Sequence, residues 1–242
     1  MGIRTRKHVY VDGDATFEAY LAWDDGVTQP RPGVLVSHAW RGRSEFENGK
    51  AEDLARLGYV GFALDLYGRG VLGTQPEENR RLMQPFIDDR LKLQRHLELA
   101  LREIRALPEV DESQVAAIGF CFGGLCVLDM ARCGADLSAV ASFHGLLTPR
   151  DTSAANRFAG KVLVMHGWDD PMAPPEQLVT LGKELSELGA DWQIHAYGNT
   201  LHAFTNPAAD DAANGLKFDL RANDRSWQSM QTFLAEAFRQ PD

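Results

Sequence analysis

The sequence predicts an α/β fold, a mainly parallel central sheet with helices on both faces, in one domain of 242 residues with no separate lid. Three observations predict it. Short runs that are apolar throughout alternate with longer stretches of helical spacing, the pattern of strands buried on both faces. A strand, a sharp glycine turn and a buried helix follow one another at Val115 to Arg132. The polar residues that close the apolar runs (His38 to Arg43, Tyr67 to Arg69, Cys121, His144, Asp170, His202) fall at strand carboxyl ends, where open parallel sheets bind ligands.

Residues 7–12 and 16–23 are extended runs around Gly13-Asp14 and predict a hairpin at the sheet edge. Residues 33–38 form an apolar strand. In 45–57, Ala51, Leu54, Ala55 and Leu57 share a helix face, and Gly58 stops the helix. Residues 59–64 form the next strand. A helical stretch at 77–107 is expected to break near Pro85, with Leu91, Leu93, Leu97, Ala100, Leu101 and Ile104 inward after it. Strands are expected at 138–143, 162–165 and 191–197, and helices at 175–188 and 226–238. Only a short loop separates the strand ending at Phe143 from the one starting at Val162, which predicts an open site.

Composition bounds function by exclusion. The net charge is −9 and no run of Lys or Arg forms a stripe, so nucleic acid and anionic membrane are poor partners. No stretch approaches the ~18 apolar residues of a membrane span. The first eleven residues are polar and basic, without the apolar core of a secretory leader. Three cysteines, Cys121, Cys126 and Cys133, lie close together with neither disulfide nor zinc spacing, so a reducing cytoplasm is expected. No metal site, dinucleotide fingerprint or phosphate loop is present, so no cofactor is expected; the quaternary state is left as monomer or homodimer.

The chemistry centres on Gly119-Phe120-Cys121-Phe122-Gly123-Gly124. Glycines two before and two after one residue, between a strand and a helix, form a nucleophile elbow. The turn is crowded, and its apex is pushed out at the strand end, beside the positive end of the helix. A thiol there must lose its proton before it attacks a carbonyl. A histidine can take that proton and return it to the leaving group, and a carboxylate can hold the imidazole in the right tautomer. His202 follows the elbow in the α/β-hydrolase order of nucleophile, acid, histidine; both Asp169 and Asp170 are candidates for the acid.

On these residues the chain resembles the dienelactone hydrolase family of α/β hydrolases, which use Cys-Asp-His triads. The matching segments are the elbow, Asp65-Leu66-Tyr67-Gly68-Arg69, His166-Gly167-Trp168-Asp169-Asp170 with Pro174, and Tyr197 followed by His202-Ala203-Phe204. The resemblance implies the triad Cys121, Asp170 and His202, and an oxyanion hole from the backbone N–H groups of Phe122 and Trp40. It also implies a substrate-binding arginine at Arg69, whereas Asn206 stands where the family has a second arginine. Ala39 replaces a glutamate that helps to activate the family's cysteine. Trp40, Tyr67, Phe143, His144, Trp168, Met172 and Phe204 are expected to line the pocket. The expected function is hydrolysis of a small-molecule ester, lactone or thioester through an acyl-enzyme. The alternatives are an acyl-transferase and a non-hydrolytic ligand-binding or redox-sensing protein on the same fold.

Overall fold

The computed structural model describes residues 2–150 and 157–239. The chain forms two compact units, Met1–Ile118 and Gly119–Asp242. Helices cover a mainly parallel sheet, the α/β architecture that the alternation of apolar runs and helical stretches predicts.

In the first unit, β1 (Ile3–Asp12) pairs antiparallel with β2 (Ala15–Asp24) across a two-residue turn, with Gly13 in the left-handed region at φ 56°. The hairpin is longer than the apolar pattern marked. The polar ends of β1 are held by backbone pairing, which hydrophobic spacing does not report. β3 (Arg31–Ser37) and β4 (Val60–Ala63) pair in parallel, and β4 pairs antiparallel with β2. Their buried residues Val34, Leu35, Val36 and Phe62 form the floor of this unit.

Helix α1 (Glu45–Arg56) packs on β2, β3 and β4. It approaches so closely that a Cβ on Gly61 would stand 2.3 Å from the Ala51 carbonyl oxygen. Its start is fixed by a capping box, in which Ser44 accepts from a backbone N–H of the first turn while the Glu47 carboxylate accepts from the Ser44 N–H.

The expected break near Pro85 is displaced. Pro85 lies inside α2 (Pro76–Asp88), and the chain breaks at Asp89, whose side chain caps α3 (Arg90–Arg105). The side-chain cap satisfies a free N–H of the new helix, so the turn forms at the carboxylate rather than at the proline. The expected inward face holds at Leu93, Leu97, Ala100, Leu101 and Ile104, all buried, whereas Leu91, two residues before Leu93 and so off that face, is 63% exposed. Strand β5 (Val110–Phe120) follows and runs across the boundary of the units.

In the second unit, β6 (Ala139–Phe143), β7 (Lys161–Gly167) and β8 (Asp191–Tyr197) are parallel neighbours in that order. Part of the connection between β6 and β7, at 151–156, lies outside the described residues, and so does that part of the expected open rim. Helix α4 (Phe122–Arg132) begins at the residue after Cys121, packs on β6 and is buried along its whole length. Its last residue, Arg132, is buried but paired, 3.2 Å from Asp129 and 2.7 Å from Glu184. Helix α5 (Pro175–Glu187) packs on β8, and α6 (Leu220–Ala237) on β6 and β7. A small ladder of β9 (Asp210–Asp211) and β10 (Leu216–Lys217) lies between β8 and α6 in sequence. No helix among the described residues is long and apolar enough to cross a membrane.

Candidate active site

Cys121 joins β5 to α4 and has φ 56° and ψ −116°, a backbone region that a residue with a Cβ rarely adopts. The local sequence makes that turn possible. A Cβ on Gly119 would meet the Gly123 carbonyl oxygen at 2.0 Å, and one on Gly124 would meet Gly145 Cα at 2.6 Å. The turn is then tied down from β6. Cys121 N–H donates to the Phe143 carbonyl at 3.1 Å, and the Cys121 carbonyl accepts from Gly124 N–H at 2.9 Å. The side chain of Cys121 is left half-buried at the positive end of α4.

Asp170 lies in the turn after β7 and is buried. Its Oδ1 accepts from Met172 N–H at 2.8 Å, and its Oδ2 accepts from His202 Nδ1 at 2.7 Å. Asp169 is exposed, so of the two adjacent carboxylates Asp170 is the one that meets the imidazole. His166, at the end of β7, donates from Nε2 to the Ala173 carbonyl at 2.7 Å and so anchors the turn that carries Asp170.

The segment carrying His202 is strapped on both sides. His202 N–H donates to the Gly215 carbonyl at 2.9 Å, Lys217 N–H to the His202 carbonyl at 3.0 Å, and Asp219 N–H to the Phe204 carbonyl at 3.2 Å. The hydrogen bond to Asp170 keeps Nδ1 protonated, so Nε2 is the nitrogen left to gain or lose a proton. Nε2 is buried and makes no hydrogen bond of ordinary geometry among the described residues. Its electrostatic partner is nevertheless plain. Burial pushes the His202 imidazolium down, but the negative charge of Cys121 and the Asp170 carboxylate outweigh it and lift its pKa to about 10.

His144 abuts this pair. Its backbone is also in the left-handed region, at φ 37°, and its ring stands edge-to-face on His202 with centroids 5.1 Å apart. Burial, followed by the positive charge of His202, holds the His144 pKa well below the usual histidine value. His144, Phe143 and Phe204, three of the residues expected to line the pocket, are buried, as His202 itself is, and His144 packs edge-to-face on Phe204 at 5.0 Å. Trp168 and Met172 are exposed at the end of β7, at 48% and 43%. Asn206 folds back on its own turn, where its Oδ1 accepts from Ala208 N–H at 3.0 Å.

The remaining expected residues belong to the first unit. After β3, the loop at Ala39 and Trp40 is fixed at almost every polar backbone group. Ala39 N–H donates to the Glu47 carboxylate at 3.2 Å, the Ala39 carbonyl accepts from His38 Nδ1 at 2.7 Å, and the Trp40 carbonyl accepts from Tyr67 OH at 2.9 Å. The Trp40 N–H has no acceptor among the described residues. Glu47 is buried and was legible as the far end of a capping box, but its second bond to Ala39 carries no sequence signal. Arg69 is not a free cation, since its Nε lies 3.1 Å from Glu18, a buried carboxylate that also pairs with Lys7 and Arg43. Charge spacing alone does not reveal that partner, which lies on β2. Among the described residues no cluster of His, Cys, Asp and Glu has the geometry to hold a metal ion.

A strained residue between strand and helix, a carboxylate after a later strand and a histidine after the next follow the chain order of an α/β hydrolase. The chain belongs to the dienelactone hydrolase family, whose model matches residues 17–238. Among solved structures it is similar to the dienelactone hydrolase-like promiscuous phosphotriesterase P91 from metagenomic libraries, at 37% identity and a TM-score of 0.94. That match covers 99% of this chain and 100% of the other. Among curated relatives it is 25% identical to a putative carboxymethylenebutenolidase of Aquifex aeolicus, over 84% of this chain and 87% of that one. It is 27% identical to a probable 2-oxo-3-(5-oxofuran-2-ylidene)propanoate lactonase of a Bradyrhizobium species, over 77% of this chain and 78% of that one.

Proposed function

We propose that the protein is a cysteine-dependent hydrolase of carboxylic esters, lactones or thioesters. The observation that carries the reading is the buried His202, bound through Nδ1 to Asp170 at 2.7 Å and following the strained elbow residue Cys121 in chain order, with its pKa raised by its interactions with Cys121 and Asp170. Once His202 has taken the thiol proton, the thiolate beside an imidazolium is an activated nucleophile next to its proton donor. Glutamate is absent at position 39, so this pairing with His202 is what activates Cys121.

In the first half-reaction Cys121 Sγ attacks the carbonyl carbon, and the carbonyl oxygen becomes an oxyanion. The N–H of Phe122, at the start of α4, donates to it. The tetrahedral species expels the alkoxide or thiolate, which takes the proton from His202 Nε2 and leaves an S-acyl cysteine. With the charge on Cys121 gone, His202 loses the attraction that kept it protonated and is free to act as a base. It removes a proton from water, the water oxygen attacks the acyl carbon, and the C–S bond breaks to release the carboxylic acid and restore the ion pair.

Selectivity follows from Asn206, which supplies no charge, so recognition of a substrate carboxylate by the second unit is weak. Uncharged acyl groups should turn over at least as well as carboxylated ones. A second activity is favoured by the neighbour described as a promiscuous phosphotriesterase. We assign the same nucleophile to it: Sγ attacks phosphorus, the aryloxide leaves with the proton of His202, and water then cleaves the S–P bond.

The test is a panel of p-nitrophenyl esters, lactones and a p-nitrophenyl dialkyl phosphate, assayed with the wild type and Cys121→Ala. Turnover confined to the wild type is the expected result. Equal low rates from both proteins would remove the cysteine mechanism and leave the acyl-transferase and ligand-binding readings, which a substrate panel with added amine or thiol acceptors separates.

A further inference from the structure

His144 is a buried titratable group for which the reaction above finds no task, yet it touches the base of that reaction directly. A ring held through one nitrogen alone can still rock about that bond. His202 is hydrogen-bonded at Nδ1 to Asp170, and its second restraint is the edge-to-face contact with His144 at 5.1 Å and an interplanar angle of 67°. His144 is in turn anchored three ways. Its N–H donates to the Met165 carbonyl at 2.8 Å, its Nε2 lies 2.8 Å from Thr205 Oγ1, and its ring packs edge-to-face on Phe204 at 5.0 Å. Thr205 is itself buried and stands three residues after His202 on the same strapped segment. The contacts therefore close a ring from His202 through Phe204 and Thr205 to His144 and back. The left-handed backbone of His144 is a cost the fold carries to bring that side chain there.

We propose that His144 is a positioning residue which, through Thr205, clamps the His202 imidazole so that Nε2 stays aimed at Cys121 while its charge changes. The proposal rests on the triad reading above. A neutral clamp suits the task. The groups facing His144 are His202, His166 and the uncharged Thr205 hydroxyl, and burial beside a positive His202 keeps His144 uncharged while the ion pair stands. A charged neighbour would instead repel the imidazolium it has to hold.

The test is a double-mutant cycle with His144→Phe, which keeps an aromatic edge but loses the bond, and Thr205→Val, which keeps the shape but loses the hydroxyl. Two readouts are taken: kcat and KM on p-nitrophenyl acetate, and the rate of iodoacetamide alkylation of Cys121 against pH, followed on its peptide by mass spectrometry. Each single variant is expected to lose about tenfold in kcat with KM nearly unchanged. Each should also alkylate more slowly at neutral pH. The double variant should be no worse than either single, and Thr205→Ser should behave as wild type. Losses that multiply in the double variant, losses confined to KM, or failure of Thr205→Ser to rescue would overturn the clamp. Alkylation reads the thiol without any substrate. A coupled alkylation cycle without ester turnover would therefore sustain the clamp and sink the hydrolase reading, and additive alkylation losses with ester turnover intact would do the reverse.

Discussion

At the residue scale the site is a matter of which groups share a proton. Asp170 has both oxygens committed, one to the Met172 N–H and one to His202 Nδ1, so it fixes the tautomer of His202 and the direction of Nε2 together. Asp170→Asn would present an amide where the imidazole needs an acceptor. With the wrong tautomer favoured, the nitrogen facing Cys121 would carry its proton at the wrong moment. The expected loss in kcat is about 10²–10⁴-fold with little change in KM. Asp169→Asn is the control: that carboxylate is exposed and one residue away, so its rate should stay within about twofold of wild type. Steady-state kinetics of the two variants side by side decide the matter, and comparable losses in both would remove Asp170 from its assigned role.

At the scale of elements the elbow depends on how closely β5, α4 and the β6 end approach. A Cβ on Gly124 would lie 2.6 Å from Gly145 Cα and 2.6 Å from Ser142 Oγ, and the first of these is backbone that cannot rotate away. Gly124→Ala should cost about 1–3 kcal/mol, read as a lower urea midpoint at unchanged slope. A midpoint equal to wild type would mean that the strand-to-helix turn opens to admit the methyl group at no cost. This element was also the most legible in the sequence, because the glycines, the apolar run before them and the apolar helix after them all state one geometry. Cys121 is marked by the elbow itself, whereas Asp170 and His202 are candidates from chain order and the family resemblance, because β8 is not an apolar run and His202 lies five residues beyond it. What could not be read is tertiary. His144 follows a strand as a rim residue does, but its contact with His202 depends on a left-handed backbone and on Thr205, neither of which has a pattern. The break at Asp89 rather than Pro85 was hidden because proline is the louder signal, while the carboxylate cap acts through one hydrogen bond. Glu18 escaped notice because its three cationic partners come from three different segments.

At the scale of the whole molecule the histidines make stability depend on pH in two opposed ways. Burial lowers the pKa of His38, His96, His144 and His166 below the ordinary 6.5. His38 shows why. Its Nδ1–H is spent on the Ala39 carbonyl, and its Nε2 lone pair accepts from Leu66 N–H at 3.2 Å, so a second proton has no place without breaking a bond. Below about pH 6.5 the unfolded chain binds protons at these sites that the folded chain does not. Their contribution is therefore present above that pH and is lost as the pH falls toward their folded values. His202 runs the other way. Its folded pKa is raised, so its contribution is complete below about 6.5 and is lost as the pH rises through about 10. On the acid side, unfolding free energy from urea titrations should fall from pH 7.5 to pH 5.5. Each fully linked histidine adds at most about 1.4 kcal/mol per pH unit to the slope. In His38→Gln the amide can donate to the Ala39 carbonyl and accept from the Leu66 N–H, so both bonds survive while the titration is removed. That variant should lose up to one histidine's share of the acid slope, whatever its stability at neutral pH. The carboxylates that also titrate there are the same in both proteins and cancel in the difference. Parallel slopes for wild type and variant would show that His38 takes up its proton in the folded state as readily as in the unfolded one, and the buried neutral histidine would have to be abandoned.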